Sequence, residues 1–253
     1  MYAYNYFNYS YISQFRAFTS KELVQQIQKG RSFIRLGDGE IHLMNGGSIH
    51  YELYNQKLEN MMRNLVKEYT NDSPYIIGLP FFLNMSNTEL RKIGQLRVWM
   101  PLKVMYQILF SKKTTYADAH FFYYNGFFEK YLESYLINKH IIVITRKDTI
   151  ESLKNNPRLP FKNISYVISP NLNSYLAIDL LLEETEAIIK NIYNKKNIIL
   201  LVAIGPASKG FVYEFSKKGL QAIDIGVSIE YIYQDKKSLE VIFPVLKKIS
   251  FFP

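Results

Sequence analysis

The sequence predicts an α/β fold: a single Rossmann-like domain with a mostly parallel sheet flanked by helices. Short β-rich apolar runs recur at 32–36, 75–79, 140–145, 164–169, 197–204 and 220–225. Segments with helical apolar spacing separate them. The runs are continuously apolar rather than alternating, as strands are when both faces of a parallel sheet are covered.

Taken in order, the chain opens with an aromatic arm over 1–18. Its Tyr- and Asn-rich start, MYAYNYFNYSYISQF, reads either as an edge strand or as a docking arm. TSKELVQQIQKG then has the marks of a helix. Thr19 caps it, Glu22 completes a capping box, Leu23, Val24 and Ile27 share a face, and Gly30 ends it. Ser32 to Leu36 is the first strand, and the acidic turn Gly37-Asp38-Gly39-Glu40 follows. Leu58, Met61, Met62, Leu65, Val66 and Tyr69 fall at helical spacing. YIIGL, 75–79, is a buried strand closed by Pro80. A helical region is expected over about 88–110, kinked or broken at Pro101, and an aromatic helix over 126–137. Strands at 140–145 and 164–169, a helix at 174–193, a strand at 197–204, a helix at 207–218 and a strand at 220–225 complete the pattern. With no repeat and no linker, 1–253 reads as one domain, with a core at about 20–233 and a tail at 234–253.

A 253-residue chain that is 48% hydrophobic can bury a substantial core. No window approaches the roughly 18 uninterrupted apolar residues of a membrane span, and the start lacks a secretory layout. An intracellular protein is the expectation. The absence of cysteine excludes disulfides, thiolate metal sites and thiol catalysis, so any metal would need oxygen or imidazole ligands. The net charge of +9 favours an anionic partner or simply aids solubility.

In a parallel sheet, ligands bind beyond the carboxyl ends of the strands. Five groups of unusual residues follow strands. Arg35, Gly37, Asp38, Gly39 and Glu40 follow or end the first. Arg146 and Lys147 follow HIIVIT, and Ser169, Pro170 and Asn171 follow ISYV. Gly205, Pro206, Ser208 and Lys209 follow NIILLVAI; Asp224, Gly226, Glu230 and Tyr231 end or follow LQAI. If 38–40 is extended, Asp38 and Glu40 project to one side and can share magnesium or manganese with phosphate oxygens, while Gly37 and Gly39 admit a ligand to the backbone. The alternative is an ordinary Asp-Gly turn with Glu40 capping the next element. His42 is a candidate third ligand or a solvent-facing residue. The turn at 205–209 offers backbone donors and the Lys209 ammonium to an anion, and Arg146 can neutralise a diphosphate. Each also reads as ordinary helix-start or solvated chemistry.

These pieces resemble a known family. RLGDGE, VISPNLNSYLAIDLLLEE and NIILLVAIGPASKGFVYEFSKKGLQAIDIGVSIEYIY, in that order, are similar to the bacterial GT-D type glycosyltransferases, long catalogued as a domain of unknown function. The resemblance implies a Rossmann-like domain that moves a sugar, glucose or a related hexose, from a UDP-sugar, with a D-x-E motif engaging a divalent cation and the diphosphate. By position that motif is Asp38 and Glu40, beside Arg35. The acceptor implied is a glycan, glycoprotein or lipid-linked carbohydrate of bacterial surface assembly, and the location implied is the cytoplasm. Val227 stands where relatives commonly carry His, and 116–128 lacks the Arg that relatives often place before an aromatic-proline pair. Asp224 and Glu230 are the candidate bases for the acceptor hydroxyl.

Two other readings use the same residues. The carboxylates could serve metal-assisted phosphoester or glycoside hydrolysis. A non-enzymatic basic module could dock on an anionic surface, although no nucleic-acid motif is present and nucleic acid is not an expected partner. A peripheral membrane contact through VIFPVLKKISFFP and a homo-oligomer are both compatible with the sequence.

Overall fold

The computed structural model describes residues 15–123, 131–157 and 159–233. One eight-stranded sheet runs through it, in the order β1-β4-β3-β2-β8-β7-β5-β6. The strands are β1 Arg16–Ala17, β2 Ser32–Arg35, β3 Tyr75–Leu79, β4 Thr115–Asp118, β5 His140–Arg146, β6 Asn163–Ser169, β7 Ile198–Val202 and β8 Gln221–Asp224. Every pairing between these strands is parallel. The helices are α1 Ser20–Gln28, α2 Asp38–Met44, α3 Gln56–Glu68, α4 Asn87–Lys92, α5 Leu96–Leu109, α6 Glu133–Leu136, α7 Lys147–Lys154, α8 Ile178–Lys190, α9 Ala207–Lys217 and α10 Ser228–Tyr233.

The continuous apolar strands follow from burial on both faces. Ile34, Ile77, Ile142 and Leu200 join the core under α2, α3, α5, α8 and α9. Their chain neighbours Phe33, Ile76, Ile141 and Leu201 point the other way, into the core that includes Leu23 and Ile27 of α1, Leu136 of α6 and Leu153 of α7. Successive side chains on a strand face opposite ways, so each strand must be apolar throughout.

Local signals place the helices. Thr19 accepts the Glu22 N–H at 3.3 Å while the Glu22 carboxylate accepts the Thr19 N–H at 2.8 Å. Asn55 caps α3 by accepting from Lys57 at 2.9 Å and Leu58 at 3.3 Å. These side chains satisfy N–H groups that helix starts leave without intrahelical partners.

The expectation for 88–110 needs correction. The break falls at Gly94, and α5 passes through Pro101. Gly94 takes φ +73°, with its N–H on Arg91 and the Gln95 N–H on Leu90, closing α4 in a Schellman motif. Pro101 forfeits one hydrogen bond, while Trp99, Lys103 and Tyr106 on the same helix are buried. Strand β4 was not expected, and β1 is an edge strand at the end of the arm, just beyond the 1–15 stretch read as an edge strand or a docking arm. β4 is four residues long, its Asp118 disguises the run, and it pairs with β3 on one side and β1 on the other. Of the helix expected over 126–137, residues 126–130 lie outside the described residues and α6 covers 133–136. The start of the arm, 1–14, and the tail, 234–253, also lie outside them. Among the described residues no helix is long and apolar enough to cross a membrane.

Candidate active site

The carboxyl ends of β2, β5, β6, β7 and β8 open on one cavity of about 600 Å³. All five strand-end segments singled out in the sequence contribute to it. Arg35, Gly37, Asp38, Gly39 and Glu40 line it with Arg146, Asn171, Gly205, Lys209, Asp224 and Gly226. Volume and position suit a ligand of nucleotide size.

The acidic turn is not extended. Gly37 is the N-cap of α2, so Asp38 and Glu40 are its first and third residues and point different ways. Glu40 turns inward, where its Oε2 accepts the Gly37 N–H at 2.7 Å. Apolar Ile41, Leu43 and Met44 pull the segment into a helix against the core. Asp38 stays exposed at the cavity. Leu36, just before the turn, is held from both sides: its N–H reaches the Gly78 carbonyl at 3.0 Å, and its carbonyl accepts the hydroxyl of fully buried Tyr106 at 2.9 Å.

Lys209, expected at an anion-binding turn, is buried in α9 and holds two carboxylates. Its Nζ is 2.9 Å from Glu40 Oε1 and 3.0 Å from Asp224 Oδ2. Burial works to raise the Glu40 carboxyl, but the ammonium, the Gly37 N–H and Arg35 outweigh it and hold it below the usual range. Burial likewise opposes the Lys209 charge, yet Asp224 and Glu40 keep its pKa above the ordinary lysine value. Asp224, only 1% exposed, also accepts the Arg35 backbone N–H at 3.2 Å.

The Arg35 guanidinium lies over Gly226. A Cβ there would come within 2.6 Å of Arg35 Nη2, and Gly226 has φ +55°. Gly226→Ala is therefore expected to cost about 1–3 kcal/mol, adding overpacking to a left-handed backbone. Thermal denaturation would measure it, and an unchanged melting temperature would count against this fit.

Other expected site residues serve one another. Arg146 Nη2 is 2.6 Å from Glu230 Oε1, which also accepts the Thr149 hydroxyl at 3.2 Å. Ser208 is fully buried and accepts the Ile204 N–H at 3.1 Å, inside the turn rather than toward the cavity. Ser169 is buried beneath the rim with its hydroxyl 3.4 Å from the Pro170 carbonyl, and neither Ser169 nor Pro206 lines the cavity. His42 also lies outside it, its ring beside Gly47. The Tyr231 side chain lies outside the described residues.

The cavity also takes His50, Tyr51, Glu52 and His120, which sequence reasoning did not place there. The loop between α2 and α3 supplies the first three. Asn173, at φ +53°, clamps it: the Asn173 N–H reaches the Tyr51 carbonyl at 2.9 Å, and its Oδ1 accepts the Leu53 N–H at 2.8 Å. Asn173→Ala should cost about 1–2 kcal/mol, because it strains the backbone and leaves the Leu53 N–H without this acceptor. Hydrogen exchange should quicken at Tyr51–Leu53 before it does in the sheet; uniform exchange would argue against a clamp. The Tyr51 ring fills the space beside Gly205, 3.3 Å from where a Cβ would stand. Burial and the nearby Glu40 charge push the Tyr51 hydroxyl up to about 12.

Comparison with known proteins agrees with this geometry. The family description "Glycosyltransferase GT-D fold" matches residues 33–243. The chain is 21% identical over 216 residues to the probable glycosyl transferase Gly of Streptococcus gordonii, covering 81% of this chain and 31% of that protein. It thus spans about a third of the length of that curated relative. A solved structure of the domain of unknown function 1792, described as a distinct glycosyltransferase fold, superposes with TM-score 0.71 at 26% identity, over 88% of this chain and 83% of the other. A second, described as a new glycosyltransferase from Streptococcus sanguinis, gives TM-score 0.71 at 19% identity, over 90% of this chain and 92% of the other. With the cavity at the strand ends and a family match over most of its length, the chain belongs to the GT-D glycosyltransferases.

Proposed function

We propose that this domain transfers a hexosyl group, glucose or a close relative, from a UDP-sugar to a hydroxyl of a glycan, glycoprotein or lipid-linked acceptor. The observation that carries the reading is exposed Asp38 at the mouth of a cavity that Arg35 and Arg146 also line. A diphosphate between them would meet cationic side chains and the first turn of α2.

The cavity's own charges nearly cancel. Arg35, Arg146 and Lys209 stand against Asp38, Glu40, Asp224 and Glu52. A doubly charged diphosphate would therefore gain from a divalent cation, and the donor set fits one through Asp38 with phosphate oxygens completing the shell, as magnesium is usually held. When bound, such a cation supplies positive charge against the departing diphosphate. Both Glu40 oxygens are engaged, by Lys209 and by Gly37, so we assign Glu40 to holding the turn that carries Asp38. Arg35, fixed over Gly226 and against Asp224, orients the diphosphate, and Tyr51 walls the cavity at Gly205.

Calorimetry with UDP, UDP-glucose and UDP-N-acetylglucosamine, with and without manganese, tests the reading. Binding strengthened by manganese is the expected result. No binding to any nucleotide sugar would overturn it, and release of free sugar indifferent to every acceptor would favour hydrolysis instead.

A further inference from the structure

Four carboxylates line the cavity and a fifth lies behind it, and the fold treats them differently. Lys209 forms ion pairs with both Glu40 and Asp224, and Arg146 pairs with Glu230. Asp38 stands exposed at the mouth. Glu52 differs from all of these. It lines the cavity, is 3% exposed, and has no cationic partner within ion-pair distance among the described residues. Its carboxylate faces the start of the 3-10 turn Ser174–Ala177, where the Tyr175 N–H reaches it at 3.4 Å.

We propose that Glu52 is the general base of the transfer, receiving the proton of the acceptor hydroxyl. The inference rests on the glycosyl-transfer reading above. In the step, the acceptor oxygen bonds to the anomeric carbon while the bond from that carbon to the diphosphate oxygen breaks. The bonding pair leaves with the nucleoside diphosphate, and the hydroxyl proton passes to Glu52.

The local structure holds this group still. Ile49 and Glu52 exchange backbone hydrogen bonds at 3.0 and 3.3 Å, so Glu52 ends a tight turn. Asn173 fixes the residues on either side, Tyr51 and Leu53. Burial, opposed by the N–H groups of Tyr175 and Ser174, pushes the carboxyl up to about 7. A proton acceptor of that affinity is well matched to neutral pH. Its titratable loop neighbours are His50 and Tyr51. Across the cavity Asp38 is the uncompensated charge, and His120 Nδ1 lies 3.4 Å from Asp118 Oδ1.

Neither base candidate named from the sequence has this freedom. Asp224 is 1% exposed and held by Lys209 and the Arg35 N–H; protonating it would break that arrangement. Glu230 is bound to Arg146 and does not line the cavity.

The test compares wild type with Glu52→Gln, which preserves size and the ability to accept the Tyr175 N–H, and with Glu52→Asp, which preserves a titrating group. Donor affinity is measured by calorimetry, turnover across pH 5–9, and product configuration by NMR. In Glu52→Gln, turnover should fall roughly 10²- to 10⁴-fold, the range of general-base catalysis, with donor Kd changed less than about twofold. The wild-type rate should fall away below pH 7; that limb should persist in Glu52→Asp at a reduced rate and vanish in Glu52→Gln. The anomeric configuration should invert, as expected of displacement by a base-activated hydroxyl. Wild-type turnover and its acid limb retained in Glu52→Gln, or retention of configuration, would overturn the assignment and leave the transferase reading standing. If wild type transfers sugar to no hydroxyl acceptor, the transferase reading fails and this inference with it.

Discussion

Lys209→Met lowers stability by about 3–5 kcal/mol, because it leaves buried Glu40 and Asp224 facing each other without the cation between them. At ~2–4 °C per kcal/mol for a domain of this size, the melting temperature falls by roughly 6–20 °C. Thermal denaturation followed by circular dichroism measures it. The triple variant Lys209→Met, Glu40→Gln, Asp224→Asn should recover part of the loss, since the charges that need compensation are then gone. A single variant as stable as wild type would mean that the triad does not hold the site together. The pH dependence follows in sign. Glu40 lies below its ordinary value of 4.5, so its contribution is present above pH 4.5 and lost as pH falls through the lower folded value. Lys209 lies above its ordinary value of 10.5, so its contribution is complete below pH 10.5 and lost as pH rises through the higher folded value.

On the proposed transfer, Asp38→Asn should have the opposite profile: a folded protein that fails at turnover. Asp38 is exposed at the first position of α2, where a carboxylate is worth only about 0.3–1 kcal/mol to the helix. The melting temperature should stay within about 4 °C of wild type. If the donor is the nucleotide sugar proposed above, turnover followed as nucleotide release should drop roughly 10²- to 10³-fold, the loss typical when charge stabilisation of a leaving group is removed. Glu40→Gln should lose stability as well as rate, because it strips Lys209 of a partner. Turnover of Asp38→Asn within twofold of wild type would show that no charge is needed at that position. The pair of variants thus separates two residues that the sequence presents as equivalent.

Much of the architecture was legible because burial on both faces leaves an unmistakable record. The six long apolar runs became strands within a residue or two, and the Thr19 and Glu22 pair marked the start of α1 correctly. Convergence of five strand ends was legible too, since a parallel sheet leaves its ligand side no other place. Orientation was not. Gly37-Asp38-Gly39-Glu40 satisfies the spacing of both an extended chelate and a helix start, and only the packing of Ile41 and Met44 decides between them. Lys209 looked like a surface cation because nothing local shows that Glu40 and Asp224 will flank it. Glu52 gave no signal at all: it belongs to an irregular loop, and its burial depends on Asn173, 121 positions away, and on the turn that begins there.

The central position of β2 has a consequence for synthesis. Its neighbours are β3, made soon after it, and β8, whose first residue is Gln221. While a ribosome works through the intervening chain, β2 has one edge paired and one bare, and the acidic turn at its end lacks both Lys209 and Asp224. An open apolar edge of that kind recruits other chains. The nascent protein therefore depends on its last third to close the sheet, and premature termination before Gln221 would yield an aggregating fragment rather than a weak enzyme.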